Sequence, residues 1–350
     1  MTERRKTRQI RYRGFPVGGD APVSIQSMST RKASDIEGVV NELDRLAGAG
    51  CEIARVAVRD GEDARAMERI CDESPIPVIA DVHFNHSLAI EAARRGAAGL
   101  RINPGNIGGA GRVREVAEAA GEAGIPVRVG VNSGSLEKEL EEMYRENPAR
   151  ALCESALRAK RLMEKIGFGD LIFSIKSSDP MINLESNRLF ATDNDYPLHI
   201  GVTEAGPPLS GAVRSAVSLA LLLREGIGDT VRISLSADPV EEVIAAASLL
   251  SALRIREDIP RVISCPTCGR CHIDVPGIAA GVERGILSLK KSITVAVMGC
   301  EVNGPGEAAE ADVGIAGTAG GAILFRKGKK VGPVKGDLLQ ALLREIAGLD

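Results

Sequence analysis

The sequence predicts an α/β protein: a (β/α)8 TIM barrel followed by a small α+β domain. Three observations predict it. From Pro22 onward, eight short β-branched runs alternate with eight longer stretches of helical period, the count that closes such a barrel. The alternation stops after Ile259-Pro260, beyond which strands and helices follow a different order. An open doubly wound sheet would need a glycine-rich phosphate turn after its first strand, and Ser27-Met28-Ser29-Thr30 is not one.

The strands are expected at 23–28, 53–58, 77–82, 99–102, 126–131, 171–176, 197–202 and 230–235. Helices are expected near 36–48, 62–72, 86–95, 110–124, 148–166, 181–192, 211–225 and 240–254. In the last of these Val240, Val243, Ile244, Ala247 and Leu250 recur at helical spacing and make one apolar face. Ser34-Asp35-Ile36-Glu37 and Asp238-Pro239 read as helix starts, and Gly50, Gly96, Gly124, Gly167 and Gly226 as helix ends. Residues 1–258 are therefore assigned to the barrel and 259–350 to the second domain. The latter is expected to hold strands at 261–264, 293–298 and 312–316, a helix at 276–290, and a hairpin over 322–334 turning at Lys327-Gly328-Lys329-Lys330. A closing amphipathic helix carries Leu338, Leu339, Leu342, Leu343 and Ile346 on one face.

Composition narrows the function. A chain of 350 residues with 44% hydrophobic and 26% charged residues is an ordinary globular protein. A net charge of −3, 3% aromatic residues and no Trp argue against nucleic acid as a partner. The basic segment Arg4, Arg5, Lys6, Arg8, Arg11 and Arg13 lacks a following apolar run and reads as a solvated arm rather than a signal peptide. Apolar runs are too short to span a bilayer, so no membrane is expected. Seven cysteines suit a reducing compartment, and the protein is expected in the cytoplasm. Cys51, Cys71 and Cys153 fall in helix or strand patterns and read as buried small hydrophobes.

The active face of a TIM barrel lies at the C-terminal ends of its strands. Those positions hold Arg55, then Asp81-Val82-His83, then Arg101-Ile102-Asn103, then Arg128 and Asn132, Lys176, the turn Thr203-Glu204, and finally Arg232 and Ser234. Five cations thus sit in otherwise apolar strands. Each is costly to bury alone, and five aimed at one mouth repel one another. An anionic ligand resolves the conflict, and guanidinium forks match phosphate or diphosphate oxygens. The bland alternative places each Arg on the outer face beside a helix carboxylate. His83, two residues after Asp81, is a candidate for proton transfer or substrate hydrogen bonding. Glu204 is a similar candidate, against a plain helix-start carboxylate.

Near the C-terminus lie Cys265-Pro-Thr-Cys268 and Gly299-Cys300-Glu301-Val302-Asn303-Gly304-Pro305-Gly306-Glu307. Two sulfurs at Cys-x2-Cys spacing and a third 32 residues beyond Cys268 can meet one metal centre, and thiol count alone allows zinc or iron–sulfur. Cys271 extends the run to Cys-x2-Cys-x2-Cys, with His272 adjacent. The second Cys-x2-Cys knuckle of a zinc ribbon is missing, and Glu307 is an odd ligand for a closed site. A carboxylate at one corner would instead leave an exchangeable iron. A radical S-adenosylmethionine enzyme would carry Cys-x3-Cys-x2-Cys after the first barrel strand, and no such run exists.

Together with those two cysteine motifs, Leu100-Arg-Ile-Asn-Pro-Gly-Asn-Ile-Gly108, Gly130-Val-Asn-Ser-Gly-Ser-Leu136 and Gly201-Val-Thr-Glu-Ala-Gly206 closely resemble the 4-hydroxy-3-methylbut-2-enyl diphosphate synthase family of the methylerythritol phosphate route to isoprenoids. The likeness runs in order along nearly the whole chain. It implies a TIM barrel followed by an iron–sulfur domain of the sulfite reductase type, with one [4Fe–4S] cluster held by Cys265, Cys268, Cys300 and Glu307. It implies as substrate 2-C-methyl-D-erythritol 2,4-cyclodiphosphate, reduced with two electrons from flavodoxin or ferredoxin. A homodimer is also implied, with the barrel mouth of one chain facing the cluster of the other. On this reading Arg55, Arg101, Arg128, Lys176 and Arg232 hold the diphosphate, and Asn103, Asn132 and Ser234 complete its hydrogen bonds. Asn303 lies near the cluster, His83 and Glu204 deliver protons, and Asp81 orients. Cys271 departs from the family pattern and is left outside the ligand set.

Overall fold

The computed structural model describes residues 3–302, 306 and 311–349, in two units, Met1–Leu249 and Leu250–Asp350. Near the N-terminus β1 (Ile10–Tyr12) and β2 (Phe15–Val17) form an antiparallel hairpin. Its turn, Arg13-Gly14, has φ of 46° and 87°, the double left-handed geometry that matches strand twist. Ile10, Tyr12 and Val17 are buried among Ile53, Ile79, Ala98 and Ile172, at or beside the starts of barrel strands. The hairpin thus closes the N-terminal end of the barrel. This corrects the expectation of a solvated arm, in which six cations hid the alternation of Ile10 and Tyr12. The cations themselves are anchored. Arg4 pairs with Asp229 at 2.9 Å, Arg5 donates to the Tyr196 carbonyl at 2.7 Å, and Arg8 pairs with Asp195 at 2.9 Å while lying over the Tyr196 ring.

The barrel strands are β3 (Ser24–Met28), β4 (Ile53–Val58), β5 (Val78–Val82), β6 (Gly99–Ile102), β7 (Val127–Asn132), β8 (Leu171–Lys176), β9 (His199–Ile200) and β10 (Thr230–Val231). They pair in parallel in the order β8-β7-β6-β5-β4-β3-β10-β9. A Phe173–Leu198 bridge, with Phe173 N–H on the Pro197 carbonyl at 2.9 Å, joins β8 to β9 and completes the ring. The last two strands are shorter than the expected 197–202 and 230–235, although the Arg232 N–H still reaches the Ile200 carbonyl at 3.1 Å. Gly201 lies there, and a Cβ on it would stand 2.4 Å from the Arg232 carbonyl oxygen and 2.7 Å from Lys176 Nζ.

Helices α1 (Ile36–Gly48), α2 (Gly61–Glu73), α3 (His86–Arg94), α4 (Pro104–Ile107), α5 (Ala110–Ala123), α6 (Glu141–Glu146), α7 (Pro148–Ile166), α8 (Pro180–Thr192), α9 (Pro208–Arg224) and α10 (Pro239–Ala252) accompany the strands. Their ends follow local chemistry. Asp35 caps Gly38 N–H, Asn147 precedes Pro148 and caps Arg150 N–H, and Gly124 and Gly167 close α5 and α7 in left-handed conformation. Cys51, Cys71 and Cys153 are buried thiols as expected; burial pushes them up to about 12, 12 and 11.

The second unit is built on a five-stranded sheet, β11 (Arg261–Ser264), β12 (Thr294–Met298), β13 (Val313–Thr318), β14 (Gly321–Arg326) and β15 (Lys329–Val334), in that order. The first three are parallel, and the last two form the expected hairpin. Helix α11 (Val275–Ile286) and the C-terminal helix Leu338–Ala347 cover one face, packing Val282, Ile286, Leu342 and Ile346 against Val295, Val297 and Ile315. Helix α11 is shorter than the expected 276–290, because the chain tightens to a 3-10 turn at Leu287–Leu289 and then reverses at Lys290 (φ 43°). Among the described residues no helix is long and apolar enough to cross a membrane.

Candidate active site

Side chains two residues apart on a strand share a face, and in a small barrel one face fills the interior. At the C-terminal mouth, Arg55, Asp81, His83, Arg101, Asn132, Lys176, Arg232 and Ser234, all singled out in the sequence, line one pocket together with Ser174 and Thr203. Four of the five cations, Arg55, Arg101, Lys176 and Arg232, therefore point into the mouth rather than to outer helices. Arg128, in register with Arg101, is buried beneath the pocket at 1% exposure, with Nη1 donating to Gln26 Oε1 at 3.3 Å and its Nε without a partner among the described residues. Gly130 on the same strand makes room for a neighbour: a Cβ there would stand 2.5 Å from Arg101 Nε.

Two carboxylates organise part of this charge. Asp81 is 3.3 Å from Arg101 Nη1 and 3.5 Å from Arg55 Nε, with His83 Nε2 at 3.6 Å. Burial alone would raise the Asp81 carboxyl, but Arg55, Arg101 and Arg128 outweigh it and hold it down at about 2. His83 Nε2 also meets Arg101 Nη1, and burial and that guanidinium lower the imidazole from its ordinary value. Glu242 on α10 receives both Nε and Nη2 of Arg232 at 2.9 Å, Ser27 Oγ at 2.8 Å and the Leu235 N–H at 3.0 Å. For Arg232 alone, a helix carboxylate is indeed the partner, yet the side chain still lines the pocket.

Among the described residues Arg128 and Lys176 have no such carboxylate partner, and Arg55, beside Asp81, makes its hydrogen bonds elsewhere. Arg55 donates to Met28 Sδ at 2.9 and 3.1 Å, and burial lowers it well below its ordinary value. Burial brings Arg128 to about 10. Lys176 Nζ is 3.2 Å from His199 Nε2, and burial followed by the surrounding arginines lowers it strongly. Five cations less two carboxylates leave a formal excess of three positive charges in one concavity.

Other candidates are placed differently. Asn103 is buried and caps α4, accepting from Gly105 N–H at 3.0 Å, with Pro104 at the first helical position. Glu204 is exposed at the turn after β9, in left-handed conformation (φ 53°). Phe84, next to His83, shares that backbone strain (φ 64°) and is 71% exposed. Asn303 and Glu307 lie outside the described residues. Sequence reasoning missed Gln26, Met28, Ser174 and His199 because they are neutral; their signal was position, two residues from a charged neighbour or on the adjacent strand.

In the second unit Ser264 on β11 pairs with Val297 on β12, so Cys265 and Cys300 leave neighbouring ends of parallel strands. Cys265 Sγ accepts the Gly299 N–H at 3.1 Å, and Cys271 N–H closes a turn onto the Cys268 carbonyl at 2.9 Å. A Cβ at Gly299 would stand 2.5 Å from Cys271 Sγ, so only glycine lets the two loops approach. Cys271 Sγ itself turns to the Ile273 carbonyl at 3.1 Å. Among the described residues no three His, Cys, Asp or Glu side chains gather closely enough to hold a metal ion. The donor set still fits a thiolate-bound metal: soft sulfur ligands on adjacent strand ends, one already taking a backbone N–H.

Comparison with known proteins agrees with this architecture. The GcpE TIM-barrel domain matches residues 7–247, and the GcpE protein C-terminal domain matches residues 261–348. The chain is 51% identical to a 4-hydroxy-3-methylbut-2-en-1-yl diphosphate synthase (flavodoxin) of Desulfotalea psychrophila, covering 100% of this chain and 97% of that protein. Proteins of the same name from Geobacter sulfurreducens and Aquifex aeolicus are 50% and 48% identical; these matches cover 97% and 100% of this chain and 97% and 98% of the relatives. Among solved structures, a dihydropteroate synthase of Xanthomonas albilineans and a type I 3-dehydroquinate dehydratase of Clostridium difficile each superpose with a TM-score of 0.50 at 14% identity. Each covers 71% of this chain and 97% of its own, a likeness of fold alone. With both domains matched in order and about half the residues shared with relatives of nearly equal length, the chain belongs to the GcpE family.

Proposed function

We propose that the chain catalyses reductive ring opening and dehydroxylation of 2-C-methyl-D-erythritol 2,4-cyclodiphosphate to 4-hydroxy-3-methylbut-2-enyl diphosphate in isoprenoid biosynthesis. The observation that carries this reading is the excess of buried cations at the barrel mouth, in a chain about half identical to synthases of that diphosphate. The barrel, residues 1–258, is the proposed substrate-binding part, and residues 259–350 the proposed cluster domain. Cys265, Cys268, Cys300 and Glu307 would hold a [4Fe–4S] cluster, which when bound supplies the two electrons and Lewis acidity toward the departing oxygen. Flavodoxin, which the relatives' names carry, or ferredoxin is the proposed donor, and a second copy of the chain the proposed partner. Seven cysteines in a chain of this length suit the reducing cytoplasm.

The charge balance of the reaction explains the cation ring. Two electrons and one proton convert the cyclic diphosphate dianion to a linear diphosphate trianion and water. The diphosphate therefore gains a negative charge as its ring C–O bond breaks. Arg55, Arg101, Arg128, Lys176 and Arg232 bind it in the ground state and stabilise that added charge as it forms. Asn103, Asn132, Asn303 and Ser234 complete the hydrogen bonds. Asp81 fixes Arg55, Arg101 and His83 in one arrangement. His83 or Glu204 delivers the proton that lets the hydroxyl leave as water.

Anaerobic purification tests the reading. The account expects a brown protein with about four iron atoms per chain that bleaches with dithionite and converts the cyclic diphosphate. A colourless zinc protein without turnover overturns it. Cys300→Ser should lose both iron and activity, whereas Cys271→Ser should retain both; full loss of iron from the Cys271 variant would reassign the ligands.

A further inference from the structure

Below the pocket, one titratable side chain has no part in the scheme above. His199 on β9 is 0% exposed, its Nε2 is 3.2 Å from Lys176 Nζ, and its Nδ1 has no hydrogen-bond partner among the described residues. An ammonium has only hydrogens to offer, so the facing ring nitrogen must present its lone pair; the imidazole is then neutral with its hydrogen on Nδ1. A charged His199 would set two cations side by side away from water. Burial, then Lys176, Arg128, Arg55 and Arg232, push its ionisation well below the ordinary range, in the same direction. On the adjacent strand Thr230 stands in register with His199, and on the next strand Ser24 stands in register with Thr230; each presents a buried hydroxyl, without a partner among the described residues, rather than a charge.

Lys176 needs such a support. Among the described residues it has no carboxylate partner, and Arg128, Arg55, Arg232 and Arg101 all repel it. A lysine carries its charge on a flexible four-carbon stem with freely rotating donors. Gly201 lets Nζ lie close against its backbone, where a Cβ would stand 2.7 Å away, but a glycine offers no side-chain acceptor to orient the ammonium's donors. We propose that His199 is a positioning residue, whose Nε2 accepts a hydrogen bond from Lys176 and holds the ammonium toward the anion in the pocket. The inference rests on the proposed function for the identity of that anion, and deepens it by naming what orients a cation that no carboxylate holds.

A double-mutant cycle on the anaerobically prepared holoenzyme tests it. His199→Phe keeps the ring volume and removes the acceptor, while His199→Gln keeps an acceptor. Binding of inorganic diphosphate and of the cyclic diphosphate is measured by calorimetry, alongside turnover and unfolding midpoints. His199→Phe should weaken both ligands about tenfold or more, the scale of a lost hydrogen bond to a charged group, and lower kcat as well, since Lys176 also meets the charge added as the ring opens. His199→Gln should stay within about threefold of the parent in affinity. In a Lys176→Met background His199→Phe should change affinity by less than about twofold. A loss that persists in the Lys176→Met background, or a Gln variant as weak as the Phe variant, overturns the proposal. Should His199→Phe fail to fold, His199→Met takes its place against His199→Gln. A protein that binds inorganic diphosphate in the expected pattern without converting the cyclic compound keeps this inference and sinks the proposed function. Conversion with an additive cycle does the reverse.

Discussion

The two sides of the barrel mouth carry similar numbers of cations but treat them differently. On β4 to β6 one buried carboxylate, Asp81, sits between Arg55 and Arg101, and His83 joins the same group. On β7 to β9, among the described residues, Arg128 has only the Gln26 amide and Lys176 only the His199 imidazole. The first side holds its shape without a ligand, because each charge has an opposite beside it. The second side stores repulsion that an anion relieves. The difference teaches that binding strength should reside mainly on β7 to β9 and rigidity on β4 to β6.

Several substitutions can break that contrast. The largest effect is expected from Asp81→Asn, which leaves two buried guanidinium groups without their counter-ion: the ligand-free protein should lose about 3–5 kcal/mol in denaturant unfolding. Lys176→Met should act in the opposite sense on each observable. Diphosphate affinity should fall about a hundredfold, roughly 3 kcal/mol, whereas the ligand-free unfolding midpoint should hold or rise, because a buried unpaired ammonium is removed. Calorimetry reads the first and a thermal melt the second.

Acid should probe the paired side alone. The Asp81 carboxyl is held at about 2, below its usual 3.8, so it contributes stability that is present above about pH 4 and lost as pH falls through 2. That contribution is about 2 kcal/mol, and the Asp81→Asn variant should lack this segment of the stability-against-pH curve. Smallest is Arg128→Ala. It should raise KM about tenfold with a lesser effect on kcat if the guanidinium binds ground and transition states alike; an unchanged KM removes Arg128 from the phosphate site.

Much of this was legible because charge in an apolar strand is a loud signal. Arg55, Arg101, Arg128, Lys176 and Arg232 stood out for that reason, and barrel geometry turned them toward one mouth. Neutral residues carry no such flag. Gln26, Met28, Ser174 and His199 became visible only once strand register placed them beside the cations. The N-terminal hairpin was misread for the converse reason, since its surface cations outnumber the three apolar side chains that plug the barrel. Asn103 was read by chemistry alone, and its Oδ1 also caps a helix, a role that Asn-Pro-Gly could have suggested. The strained backbone of Glu204 and Phe84 leaves no trace in residue type, because non-glycine left-handed conformation is imposed by surroundings.

The central claim, that the β7 to β9 side is built around an absent anion, is met most directly by thermal unfolding of the holoenzyme and its Lys176→Met variant, each with and without saturating cyclic diphosphate. The account predicts a clear ligand-induced rise in the parent, a distinctly smaller one in the variant at the same ligand concentration, and a ligand-free midpoint in the variant no lower than the parent's. A variant that is less stable alone yet gains as much from the ligand as the parent would contradict it.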